Sequence, residues 1–348
     1  MKNKTIVFLI LFFSMLLLGF VSTSDEHSIS KKDVELKIPK GFPKANYNFK
    51  NNKLTPAGFI LGRKLFYDPI LSKDSSTSCQ SCHQRVAAFA HIDHALSHGI
   101  DGKIGTRNVP ALQNLIWKDT YMADGGVNNL EVQPINPITN PIEMNESLVH
   151  VVDKLKQNKE YILLFKNAYK DTIINSERLL KALAQFTGLM ISANSRYDKY
   201  MAGKDTFSLQ EKSGLNYFRI KCAGCHKEPL FTDNSYRNNG LKPDTSINDK
   251  GRAKVTGMEA DNYKFKVPSL RNIEMTFPYM HDGRYKKLKD VMNHYSSSSN
   301  HNSTTDEEIN KIGDLSEKER KDIIAFLLTL TDKEFLNDRR FENPNFKY

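Results

Sequence analysis

The chain is 348 residues long and carries a formal net charge of +10, which is too long for one small domain and suits about two, each able to bury a core of its own. The positive excess favours anionic partners. The lysines are scattered, however, and no basic run interleaves with aromatics, so nucleic acid is set aside in favour of a solvated surface that steers charged partners.

The first element in chain order is an export signal over residues 1–24. Lys2 and Lys4 precede an apolar run from Ile6 to Val21, and small polar residues follow. The run is short for a membrane-spanning helix of about 20 residues, although an uncleaved anchor would have the same composition. No Cys follows it for lipid attachment, so the expected location is periplasmic. Residues 25–53 are polar and Lys/Asn-rich and read as a linker or an arm over the surface. Thr55 followed by Pro56 supplies an N-cap and a first-turn proline for a helix through Phe59, Leu61, Leu65 and Phe66. Apolar stripes at helical spacing recur over 146–166, 176–200 and 208–220, and Ser316 with Glu319 forms a capping box for a last helix. Alternating strand patterns are scarce. The fold class expected is therefore all-α, with long loops rich in Gly, Asn and Pro that need something beyond secondary structure to hold them.

All four cysteines fall in two copies of one pattern, Cys79-Gln80-Ser81-Cys82-His83 and Cys222-Ala223-Gly224-Cys225-His226. Alone, a CxxC pair in an exported protein reads as a disulfide, a redox dithiol or half of a zinc site. The adjacent His changes the reading, because two thiols can form thioethers to a haem while the imidazole reaches its iron. Two haem c groups are expected, with His83 and His226 as proximal ligands.

An internal repeat accompanies the two motifs. Val109, Pro110, Leu112, Asn114, Tyr121, Met122, Asp124, Gly125 and Leu130 recur without gaps as Val267, Pro268, Leu270, Asn272, Tyr279, Met280, Asp282, Gly283 and Leu288. Two tandem cytochrome c-like domains follow, 54–203 and 204–348, with the boundary where Gly203 and Asp205 break the helical pattern.

Several further runs carry a family resemblance: Gly105 to Leu112, Asp124-Gly125, Gln133, Asn140 to Met144, Val267 to Asn272, and Pro278 to Gly283. From about Leu61 to Leu330 the sequence resembles the bacterial diheme cytochrome c peroxidase and MauG family. The resemblance implies a peroxidatic haem in the N-terminal domain and an electron-transfer haem in the C-terminal one. In the peroxidases the second haem takes a Met where this chain has Tyr295, and MauG-like members carry Tyr. The expected ligands of the second iron are thus His226 and Tyr295, with Met292 and His294 as nearby alternatives. Carrying the repeat register on from Tyr295 reaches Pro137, which cannot ligate iron, so the first haem is expected to be open on its distal face. Gln133 and Glu143 match the distal pair of the peroxidases, with Glu143 as acid/base; taken alone, Glu143 reads as an acid at a helix start. Where many relatives place a resting His ligand this chain has Ile100, with His91, His94 and His98 close by in sequence.

The family relays electrons through a Trp at the position of Ala123 here, and the only tryptophan is Trp117. The resemblance also implies a calcium ion held by the Asn108 side chain and the carbonyls of Thr276 and Pro278. The function expected is reduction of hydrogen peroxide with electrons from a small donor such as a cytochrome c. The rivals are a MauG-like oxidase acting on a protein or small molecule, and a non-catalytic diheme electron carrier. Family members are often dimers, but nothing in the sequence marks an interface.

Overall fold

A computed structural model of the chain describes residues 29–296 and 303–345; the export signal over 1–24 lies outside the described residues. The helices in order are α1 (Pro56–Tyr67), α2 (Cys79–Cys82), α3 (Ile135–Thr139), α4 (Leu148–Gln157), α5 (Lys159–Tyr169), α6 (Ser176–Gly188), α7 (Arg196–Met201), α8 (Leu209–Lys221), α9 (Ala253–Thr256), α10 (Leu288–Tyr295), α11 (Glu317–Leu328) and α12 (Lys333–Leu336). Among the described residues strand is confined to one antiparallel pair, β1 (Tyr236–Arg237) and β2 (Phe265–Lys266). The molecule is thus helix-rich with long irregular connections, as composition and spacing lead one to expect. No described helix is long and apolar enough to cross a membrane.

Local chemistry explains the helix ends. Thr55 accepts from the Gly58 N–H and starts α1, and Ser316 with Glu319 closes a capping box on α11. Two of the helical stripes are broken into separate helices. The stripe over 146–166 divides at Asn158, whose side chain accepts from the N–H groups of Glu160 and Tyr161 and so caps a new helix. The stripe over 176–200 divides into α6 and α7, with a capping box of Ser195 and Asp198 opening the second. Apolar periodicity ran through both breaks because both flanking helices bury a face, while the side chains that end them are single polar residues.

Two separate apolar clusters form. The first gathers α1, α6 and buried residues from 34 to 190, and it also takes in Phe335 and Phe341 from the end of the chain. The second runs from Tyr197 to Leu330. Each is organised by one close helix crossing, α1 on α6 and α8 on α11. At these crossings a Cβ on Gly62 would stand 2.0 Å from the Ala182 carbonyl oxygen and one on Gly214 1.9 Å from that of Asp322, with Phe186 and Phe326 next to them. The two units therefore share a helix crossing as well as the repeat, although the sequence repeat begins well after the first of those helices. Gly214→Ala is expected to lose about 1–3 kcal/mol of stability by forcing the backbones apart, read as a lower denaturant midpoint.

The repeat is reproduced in backbone conformation and hydrogen bonding. Asn114 and Asn272 adopt left-handed φ values of 56° and 57°, and their N–H groups donate to Met190 and Leu330 carbonyls at 2.8 and 3.1 Å. The Tyr121 and Tyr279 hydroxyls donate to the Leu115 and Ile273 carbonyls. The correspondence stops after Leu130 and Leu288. The second copy enters α10 there, while the first makes a turn and the short α3, so Pro137 lies in a different element from Tyr295.

Candidate diheme site

In the first unit α2 holds Cys79 and Cys82 on one turn, and the His83 N–H donates to the Cys79 carbonyl at 2.8 Å. The chain then bends through Ala88 and Phe89, both at positive φ, which brings the Phe89 carbonyl 2.7 Å from His83 Nδ1. Burial pushes the His83 imidazole down to about 4. A neutral ring whose Nδ1–H donates to a carbonyl presents Nε2 as a free lone pair, the form that ligates a metal. The second unit repeats the device, with His226 Nδ1 3.1 Å from the carbonyls of Phe231 and Pro268 and burial lowering its pKa too. All four cysteines are free. Burial pushes Cys79 and Cys222 up to about 12 and Cys225 to about 11, which disfavours a reactive dithiol at either motif. Paired thiols beside a neutral imidazole with free Nε2 fit covalently attached haem.

The surroundings of the two motifs differ. By the first, Met122 at φ 66° has its Sδ 3.7 Å from Gln133 Nε2. Glu143 is half-buried, and its Oε1 accepts from Asn140 Nδ2 at 2.9 Å. Burial raises its pKa, with the Asn140 bond working against the shift. Its charge acts on both the Cys79 and the Cys82 thiol, which places the carboxylate beside the first attachment motif. Ile100 is buried and donates its N–H to the Glu143 carbonyl at 2.8 Å. The rings of His91, His94 and His98 stand in a row at 5.4 and 4.2 Å between centroids. His91 is buried with an unpaired Nδ1, in contrast to the exposed His94.

By the second motif, Met280 at φ 76° meets an amide in the same way, with Asn239 Nδ2 3.4 Å from its Sδ. That amide also donates to the Tyr295 hydroxyl at 3.3 Å. Burial pushes Tyr295 up to about 12, with the Asn239 bond opposing. Of the alternatives, His294 has Nε2 3.0 Å from the Asn239 carbonyl, and Met292 is packed in the second apolar cluster. Met122 and Met280 were visible in the repeat but carried no role there. Their shared left-handed backbone and amide contacts identify them as matching points of the two units.

Comparison with known proteins agrees with this geometry. Residues 56–206 match the di-haem cytochrome c peroxidase family. The methylamine utilization protein MauG of Methylorubrum extorquens is 36% identical over 293 residues, covering 81% of this chain and 80% of the relative. The cytochrome c551 peroxidase of Nitrosomonas europaea is 34% identical over 295 residues, covering 82% and 81%. The chain belongs to the di-haem cytochrome c peroxidase family. A crystal structure of a MauG-like protein associated with microbial copper homeostasis superposes with a TM-score of 0.81 at 30% identity, covering 89% of this chain and 99% of the other.

Within this diheme family architecture, the seam between the units has its own chemistry. Trp117 is buried edge-on to Phe42 at 5.1 Å, and its Nε1 donates to the Pro43 carbonyl at 2.8 Å, an anchoring role for the arm. Ala123 accepts from the Lys266 N–H at 2.7 Å. Beside it Tyr236, which sequence reasoning passed over, lies between the Arg252 and Lys266 cations, each 4.4 Å from the ring centroid. Arg107 joins Asp124 to Asp249. Asn108 donates its backbone N–H to the His281 carbonyl at 2.7 Å, and its Nδ2 donates to Ala95 at 2.8 Å, which turns Oδ1 the other way. Thr276 and Pro278 lie in the segment just before His281.

Proposed function

We propose that the chain is an exported diheme peroxidase that reduces hydrogen peroxide to water with electrons from a small donor such as a cytochrome c. The observation that carries the reading is the contrast between two units built alike up to their attachment motifs: a half-buried carboxylate stands by the first and a phenol by the second. Bound at Cys79, Cys82 and His83, and at Cys222, Cys225 and His226, two haem c groups supply peroxide binding and electron storage. Glu143 takes the proton from the inner peroxide oxygen and returns it to the outer one, and Gln133, tied to Met122, orients the substrate. Tyr295 would help hold the second haem iron, whose charge would offset the cost of ionising a buried phenol. The domains in this reading are 54–203 and 204–348 and the location is the periplasm.

Tyr295→Phe is expected to turn the second haem from low-spin to high-spin in the ferric electron paramagnetic resonance spectrum, while Met292→Leu and His294→Gln leave it unchanged. The opposite pattern would move the ligand assignment. Calcium held by Asn108, Thr276 and Pro278 belongs to the same proposal. Turnover is expected to fall on chelation and return with added calcium, and indifference to a strong chelator would remove the ion.

The second reading, a MauG-like oxidase of a protein or small molecule, is favoured by Tyr295 itself. It differs in the fate of the oxidising equivalents, which would bypass a reduced cytochrome.

A further inference from the structure

The seam between the units holds cations that the chain does not neutralise. Among the described residues Lys118, Lys266 and Arg252 form no ion pair. Arg252 donates to the Asp124 and Gly125 carbonyls, and Lys266 Nζ donates to the Thr120 and Tyr236 hydroxyls and the Asn234 carbonyl. The Lys118 side chain has no hydrogen-bond partner among the described residues. Burial pushes Lys118 and Lys266 down to about 8, and the Lys266 charge acts on Lys118 in the same direction, as the Arg252 charge does on Lys266. The carboxylates that act on Lys266 are engaged elsewhere: Asp119 is exposed and accepts from Asn46, and Asp124 pairs with Arg107. A buried ammonium without an anion is costly and is ordinarily paired.

Lys118 lines a cavity together with Gln113, Trp117, Thr232, Asn234 and Ser269. The other polar walls are largely committed. Gln113 is bonded on both sides, to the Arg271 carbonyl and the Asn272 amide. Thr232 and Ser269 donate to the Val267 and Leu230 carbonyls at 2.6 Å. Asn234 Oδ1 is buried without a partner, an acceptor that suits a water held beside an incoming polar group. The cavity adjoins both proximal loops. The Lys118 charge acts on His83, while Leu230 and Ser269 are the chain neighbours of Phe231 and Pro268, whose carbonyls meet His226 Nδ1. Each haem carries two carboxylates along one edge, the class of anion that enters with the cofactor itself. The counterpart of Lys118 in the repeat is Thr276, so this charge belongs to the first copy alone.

We infer that Lys118 anchors a carboxylate of the first haem at the seam, with the Lys266 charge supporting the same anion. The inference rests on covalent attachment of the two haems and is independent of which reaction they perform. Lys118 is thereby a positioning residue. It fixes the edge of the first haem against the second unit, and by neutralising the carboxylate it keeps that negative charge from stabilising ferric iron.

The test uses the holoprotein, with two attached haems per chain confirmed by absorbance. Resonance Raman spectra report the propionate bending band, which moves with the hydrogen bonding of the carboxylate. Lys118→Met is expected to shift one component of that band, while Lys118→Arg, which still donates, keeps it in place. Stability gives a second readout of opposite sign for the two cases. Stranding a buried carboxylate lowers the denaturant midpoint of Lys118→Met, whereas removing an unpaired ammonium raises it. A third arm needs no variant: the potential of the first haem in the parent is expected to be indifferent to chloride and acetate at constant ionic strength. An unshifted band with both haems attached, a raised midpoint, or a potential that follows either salt, as it would with a dissolved anion in the site, would each overturn the assignment. A parent without two attached haems would instead overturn the attachment on which the inference rests.

Discussion

Glu143→Gln is expected to lower peroxide turnover by about 10²–10⁴-fold while leaving both haems attached, measured as peroxide consumption against the absorbance of covalently bound haem. Gln keeps the size of the side chain and a hydrogen bond with Asn140, but it cannot carry a proton between the two peroxide oxygens. Burial raises the pKa of Glu143, so the carboxylate that accepts the proton is populated only above a pH higher than an ordinary glutamate requires. The acid limb of kcat/KM is therefore expected above the usual carboxylate range and absent from the residual activity of the variant. The same shift fixes the sign of the stability effect. A carboxyl whose folded pKa is raised is favoured when protonated, so its contribution is lost as pH rises through that pKa. At neutral pH the Gln variant is thus expected to be no less stable than the parent. Unchanged turnover would remove Glu143 from the mechanism.

Asp198→Asn is expected to cost about 3–5 kcal/mol of stability, the range for stranding one half of a buried ion pair. The Arg271 side chain is fully buried. Both of its terminal nitrogens donate to Asp198 at 2.8 Å, and Nε donates to the Pro229 carbonyl at 2.9 Å. The guanidinium also lies 4.9 Å from the centre of the Phe42 ring, so the arm packs against the same charge. Burial opposes ionisation of Asp198, yet Arg271 and Ser195 bring its pKa below the usual value. A depressed carboxyl pKa adds stability above its unfolded value that is lost as pH falls through the folded one. The parent should therefore lose this increment in acid, and the Asn variant should show a flatter acid dependence. The checks are denaturant midpoints at neutral and acid pH.

The attachment chemistry was legible because it is local. Cys-x-x-Cys-His places two thiols and an imidazole within one turn, and the repeat announced a second copy of the surrounding loops. The caps at Thr55 and Ser316 were legible for the same reason. The helix crossings at Gly62 and Gly214 were not, since a glycine inside a helix pattern shows no sign of the backbone that approaches it from 108 or more residues away. Tyr236 escaped notice because its meaning comes from Arg252, Lys266 and Thr120, none of them adjacent in sequence. The limit of the repeat register was equally invisible, because Leu130 and Leu288 match while the elements beyond them diverge.

The central claim is that peroxide reacts at an open first haem beside Glu143 and that the second haem delivers the electrons. Rapid mixing of the fully ferric protein with stoichiometric hydrogen peroxide, followed with and without a reduced cytochrome c, tests it most directly. The prediction is a fast spectral change in the ferric protein that decays as two cytochrome molecules are oxidised per peroxide, the electron count of about two that reduction to water requires. A change that forms and ignores the cytochrome would favour the oxidase reading, and a ferric protein that does not react at all would contradict an open first haem.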